Sequence, residues 1–154
     1  MKIIVDADGC PKNALQICFS AAQEFSAAVW TVASFNHNID SDNHVMVDSS
    51  PQAADLKILN MAEEGDLIIT GDIGLAAMVL NKNTRCLNPS GREFEPEKID
   101  TLLQIRQIKA KHRRSGGRTK GPAKRTSEHD RQFEKTLRQI LTQMTRNTKN
   151  SGEE

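Results

Sequence analysis

The chain has 154 residues and a formal net charge of +1, a near-neutral sum that conceals an uneven distribution. Residues 1–105 carry seven Lys/Arg against 15 Asp/Glu, whereas residues 106–154 carry 14 against five, so an acidic body precedes a basic appendage. The length suits one domain with a tail. No run of about 18 apolar residues offers a membrane-spanning helix, Met1–Asp6 reaches an acid too early for a signal peptide, and three cysteines without a Cys-x-x-Cys pair fit reduced thiols in the cytoplasm.

In chain order, Lys2–Ala7 is a β-branched apolar run closed by Asp6-Ala7-Asp8-Gly9, which reads as a buried strand meeting a turn. Pro11 suits the first position of a helix reaching Phe25, with Leu15, Cys18, Phe19, Ala22 and Phe25 on one face. Ala27–Ser34 and His44–Asp48 read as two more strands around a polar turn cluster, Asn36–Asn43. Pro51–Glu64 predicts a second helix, with Ala54, Ile58 and Met61 on one face and Leu56 and Leu59 beside it. Asp66–Thr70 predicts a strand, and Gly71-Asp72 then opens a third helix through Leu75–Leu80. Arg85–Leu87 reads as a short strand and Glu97–Lys111 as a further helix after Pro96. Strands alternating with helices predict an α/β domain with a mainly parallel sheet flanked by helices.

Beyond that point the composition changes. Between Arg106 and Asp130 the only aliphatic residues are Ile108, Ala110 and Ala123, and the segment from Arg113 to Pro122 has too little apolar surface to fold alone. Ser127-x-x-Asp130 resembles a capping box, and Phe133, Leu137, Ile140, Leu141 and Met144 form a helical stripe that must dock. The expected organisation is an α/β domain over 1–111, a basic linker over 112–127 and a C-terminal helix over 128–147.

A parallel sheet delivers the residues after every strand to one edge, where ligands usually bind. Asp6 and Asp8 follow the first strand, Asp48 closes the third, and Asp72 follows the strand ending at Thr70. Asp55 sits one turn into the helix after Asp48, so these carboxylates are candidates to converge. Clustered carboxylates repel unless protonated or neutralised by a cation, and oxygen-only ligands suit Mg²⁺ or Mn²⁺. Beside a phosphodiester, such ions activate water and stabilise the leaving oxygen. The plainer reading is helix capping, which Asp8 and Asp72 also suit. Asp66, at the amino end of its strand, reads as a turn residue with Gly65, and Glu63 and Glu64 as a solvated face.

Val5-Asp6-Ala7-Asp8-Gly9-Cys10-Pro11 resembles the opening of the bacterial YaiI/YqxD family. The same resemblance extends to Gly65–Ala76, to Leu87-Asn88-Pro89-Ser90-Gly91-Arg92, and to Thr119-Lys120-Gly121-Pro122 followed by Asp130-Arg131-x-Phe133. These pieces keep the family's order over nearly the whole chain. The family is similar to PIN domains, metal-dependent nucleases with a parallel sheet between helices. That likeness implies that Asp6 corresponds to the acid ending the first strand, Asp72 in Thr70-Gly71-Asp72 to the acid of the PIN Thr-x-Asp motif, and Asp55 to the acid of the middle helix. The further acid usual after the last motif is missing from Ile73–Leu80. Either Asp8 takes its place or the site holds one ion rather than two.

The expected activity is therefore Mg²⁺/Mn²⁺-dependent hydrolysis of RNA or single-stranded nucleic acid. Asp6, Asp8, Asp55 and Asp72 would be ligands, and Thr70 would orient an acid or a water. Arg113, Arg114, Arg118, Lys120, Lys124 and Arg125 are candidates to clamp phosphates, and the lack of aromatics between Phe94 and Phe133 disfavours base stacking there. Two rivals stand beside this reading. Asp6-Ala7-Asp8 also fits the haloacid-dehalogenase Asp-x-Asp pattern, with Asp6 as nucleophile of a small-molecule phosphatase. A non-catalytic nucleic-acid or ribosome-associated protein would use its acids only as helix caps. Cys10, at a helix start, reads as an inert, partly buried thiol, and His37, His44, His112 and His129 show no zinc spacing.

Overall fold

The computed structural model describes all residues except 35–38, 40, 42, 51, 118–123 and 153–154, and only the backbone of 148–152. The expected turn over Asn36–Asn43 therefore lies largely outside the described residues, as do Arg118 and Lys120.

Five strands form one fully parallel sheet: β1 (Lys2–Asp6), β2 (Ala28–Ser34), β3 (His44–Val47), β4 (Leu67–Ile69) and β5 (Arg85–Leu87), in the order β3-β2-β1-β4-β5. Alternation along the central strands divides the interior in two. Ile3, Val5, Leu67 and Ile69 face helices α1 (Lys12–Glu24) and α5 (Ser127–Gly152). Ile4, Val32, Ile68 and Cys86 face α2 (Ala53–Met61) and α3 (Ile73–Leu80), with Ile99 and Leu102 of α4 (Ile99–Arg114) packed against the same cluster. Both sheet faces are covered, which is why β1 and β4 read as continuous apolar runs. The expected α/β architecture is the observed one.

Several boundaries move for identifiable reasons. Helix α2 starts after Gln52, held at φ 68°, and stops at the extended Ala62, so it is shorter than Pro51–Glu64. Helix α4 runs past Lys111 to Arg114, where Gly116 N–H donates to the Arg113 carbonyl and Gly117 N–H to that of His112. Arg113 and Arg114 thus stand on a helix rather than on a linker. The α5 stripe docks as a full layer: Phe133, Leu137, Ile140, Leu141 and Met144 are all buried against α1 and the sheet. Among the described residues, no helix is long and apolar enough to cross a membrane.

Asp66 is more than a turn residue. It is 3 % exposed, and its carboxylate accepts from Lys2 N–H (3.0 Å), Lys2 Nζ (2.6 Å) and Glu63 N–H (2.9 Å). It pins the amino ends of β1 and β4 together, opposite the edge where the other acids lie.

Candidate functional site

The order β3-β2-β1-β4-β5 places a topological switch point between β1 and β4: the chain winds outward from β1 to β3, then returns to β4 on the other side of β1. At such a point the following segments diverge and leave a crevice at the carboxyl ends of the strands. Asp6 ends β1 there, and Thr70 follows β4 directly.

Thr70 is buried and couples the two segments. Its hydroxyl donates to Asp6 Oδ2 at 2.9 Å and accepts from Asp72 N–H at 3.1 Å. Asp72 is the N-cap of α3, its Oδ1 accepting from Gly74 N–H (2.8 Å) and Leu75 N–H (3.4 Å). The capping reading of Asp72 is therefore correct as far as it goes. Asp8 caps nothing in this way: it sits in a 3-10 turn, Ala7–Gly9, and accepts from Ser34 N–H and Oγ at the end of β2. Asp55 lies in the first turn of α2. Asp6, Asp8, Asp48 and Asp55, with Ser34 between them, line an open pocket of about 430 Å³. The Asp48 carboxylate is engaged by Ser50, through N–H and hydroxyl, which holds its pKa below the ordinary value.

Burial dominates the electrostatics of Asp6, and the neighbouring acids add to it. Burial pushes the Asp6 carboxyl up to about 6; the Thr70 hydrogen bond opposes this, and the charges of Asp55, Asp8 and Asp72 add to it. Burial and the charge of Asp72 raise Asp55 as well, against Arg106. Arg106, on α4, reaches Asp72 Oδ1 with Nη1 at 3.4 Å, lying across Gly74, where a Cβ would meet that nitrogen at 2.9 Å. Nothing in the sequence points to Arg106 as a partner of Asp72; only the packing of α4 on α3 brings it here.

The donor set is oxygen-only and multiply anionic, which suits a hard divalent cation. Among the described residues, no group of three or more His, Cys, Asp or Glu side chains is arranged to hold a metal ion.

The basic candidates are dispersed. Arg113 and Arg114 are exposed on the last turn of α4, and Lys124 is exposed before α5. Arg125 is turned inward: Nε donates to Asp130 at 2.8 Å and Nη1 to the Pro89 carbonyl at 2.7 Å, while Asn13 also donates to Asp130. Its guanidinium joins the start of α5 to the turn after β5. Burial pushes the Cys10 thiol up to about 12, in keeping with an inert thiol.

A family model described as "Uncharacterized BCR, YaiI/YqxD family" matches residues 4–143. A UPF0178 protein of Heliobacterium modesticaldum is 52% identical over 141 residues, covering 92% of this chain and 97% of the relative. UPF0178 proteins of Natranaerobius thermophilus and Exiguobacterium sibiricum are 40% and 39% identical, each over 94% of this chain and 98% and 99% of their own lengths. No solved structure matches the chain significantly.

Proposed function

The chain belongs to the YaiI/YqxD family, and we propose that it is a divalent-metal-dependent nuclease hydrolysing phosphodiester bonds of RNA or another single-stranded nucleic acid. The observation that carries this reading is that Asp6, Asp8 and Asp55 line one pocket at the carboxyl edge of a parallel sheet, with Asp72 joined to Asp6 through Thr70. Acids that repel one another at the usual ligand edge are a common mark of a functional site. The resemblance to PIN domains supports it further, through the acid ending β1, the acid on the middle helix and the acid two residues beyond Thr70.

A bound Mg²⁺ or Mn²⁺ would supply a water of lowered pKa and neutralise the phosphate. The protein's own part is positional. Thr70 fixes the Asp6 carboxylate and, through the Asp72 N–H, the first turn of α3; the α3 amides in turn hold Asp72. Asp6 and Asp72 would be the main ligands, and Asp8 and Asp55 would complete the shell around the ion.

The test is cleavage of an end-labelled single-stranded RNA with Mn²⁺, wild type beside Asp72→Asn, since Asn preserves the helix cap. Wild type should cleave and the variant should fall to background. Equal cleavage by both overturns the site. No cleavage by wild type, with release of inorganic phosphate from a phosphomonoester instead, would replace this reading by the phosphatase with Asp6 as nucleophile.

A further inference from the structure

Helix α4 is packed at one end only. Ile99 and Leu102 join the core beside α3, and Arg106 comes level with the first turn of α3, where it meets Asp72. From Gln104 to Arg114 no residue is buried, and Ala110 alone is partly covered. Helix α3 starts at the acid-bearing edge of the sheet, so α4, approaching that edge from the other end, carries its remaining residues past it. The eight residues from Gln107 to Arg114 span ~12 Å of helix.

That projecting half is strongly basic. Lys109, Lys111, His112, Arg113 and Arg114 follow Arg106, with no acid between Asp100 and Glu128. At ~100° per residue, Arg106, Lys109 and Arg113 fall within an arc of ~60°, so they form one stripe that begins at the acid site. On the same count the exposed Ile108 lies ~100° from the nearest stripe residue, whereas the exposed Ile105 borders Lys109 at ~40°. A cationic stripe leading away from a cluster of carboxylates matches a polyanion whose backbone crosses both: phosphates along the stripe, and one phosphate at the acids through a bridging cation.

Resting on the nuclease reading above, we propose that the projecting half of α4 is the substrate-binding wall, with Arg106, Lys109 and Arg113 taking successive backbone phosphates of a single-stranded nucleic acid that ends at Asp72. One feature favours this partner over an anionic membrane: a bilayer pressed against the stripe would meet the four carboxylates with no compensation. The wall reads no bases, since the stripe offers charge and guanidinium forks but no aromatic ring; binding is salt-dependent and largely indifferent to sequence.

The test pairs two measurements on the full-length protein. The first is binding of a fluorescein-labelled oligo(U) strand in EDTA, by anisotropy, across a salt series. Lys109→Gln/Arg113→Gln should lower the slope of log K against log salt by about 1.4 and weaken binding roughly 25-fold at ~0.1 M salt. The control Lys98→Gln/Lys135→Gln removes the same charge from exposed positions elsewhere and should change both far less. The second is cleavage of the same strand with Mn²⁺. Equal effects of the two double variants on binding overturn the wall while leaving wild-type cleavage, and so the nuclease reading, intact. Stripe-dependent binding without cleavage upholds the wall and removes the nuclease. Absence of wild-type binding to the strand, or binding of the stripe to phosphatidylserine vesicles instead, overturns the wall.

Discussion

Replacing Asp6 by Asn should make the metal-free protein more stable at neutral and alkaline pH. In the folded chain the Asp6 carboxyl is pushed from 3.8 up to about 6, first by burial and then by the charges of Asp55, Asp8 and Asp72. A raised carboxyl pKa means that the folded state holds the proton more tightly than the unfolded state. Stability is therefore full below about pH 4, falls as pH rises from there through about 6, and stays reduced above it. A shift of about two units is worth about 3 kcal/mol, an upper bound because Asp6 keeps some contact with solvent. Asn removes the charge, and its carbonyl can still accept from Thr70 Oγ1, so the 2.9 Å hydrogen bond need not be lost. The expected gain is about 1–3 kcal/mol at pH 8, or ~2–10 °C in Tm for a chain of this size, shrinking towards zero at pH 4. Thermal unfolding followed by circular dichroism in EDTA, at both pH values, measures it. An Asn variant equal to or weaker than wild type at pH 8, or a gain independent of pH, would refute the claim that burial and the neighbouring acids disfavour the charged Asp6.

Asp66→Ala should have the opposite effect, because it strips acceptors from two backbone N–H groups and the Lys2 ammonium at the buried amino edge of the sheet; a urea midpoint shift equivalent to about 2–4 kcal/mol is expected, and a loss below about 1 kcal/mol would show the pin to be dispensable. Gly91→Ala meets two obstacles: φ is +96°, and a Cβ would stand 2.8 Å from backbone atoms of Gln132 and Phe133. A loss of about 3 kcal/mol follows, with early hydrogen exchange in α5 as its signature, and unchanged protection of α5 would contradict it.

The acids were legible in the sequence because a parallel sheet turns strand order into a secondary matter: whichever strands are neighbours, Asp6, Thr70 and Asp72 arrive at the same edge. The α5 stripe was legible for a similar reason, since Phe133, Leu137, Ile140, Leu141 and Met144 repeat at helical spacing whatever they dock on. What escaped depends on pairs distant along the chain. Asp66 looks like a turn acid until Lys2 is brought to it from the neighbouring strand. Arg106 looks like one more residue of a basic segment, and its reach to Asp72 requires both α4 packed on α3 and the bare Cα of Gly74 beneath it. Arg125, grouped by composition with the phosphate-binding candidates, is drawn inward by Asp130 and the Pro89 carbonyl, neither of which composition can foresee.

The burial of the α5 stripe also sets a schedule for folding. One face of the sheet, with Ile3, Val5, Leu67 and Ile69, is covered on one side by α1 and is closed by side chains more than 60 residues further along the chain. During synthesis the opposite face can be covered as soon as α2, α3 and α4 have emerged, whereas this one stays open until residues near Met144 leave the ribosome. Contacts between segments so far apart slow folding and prolong the exposure of apolar strand surface. A nascent chain whose sheet had assembled before α5 docked would have only α1 on that face, and a ribosome stalled between α4 and α5 would hold it there, with the remaining apolar strand surface exposed.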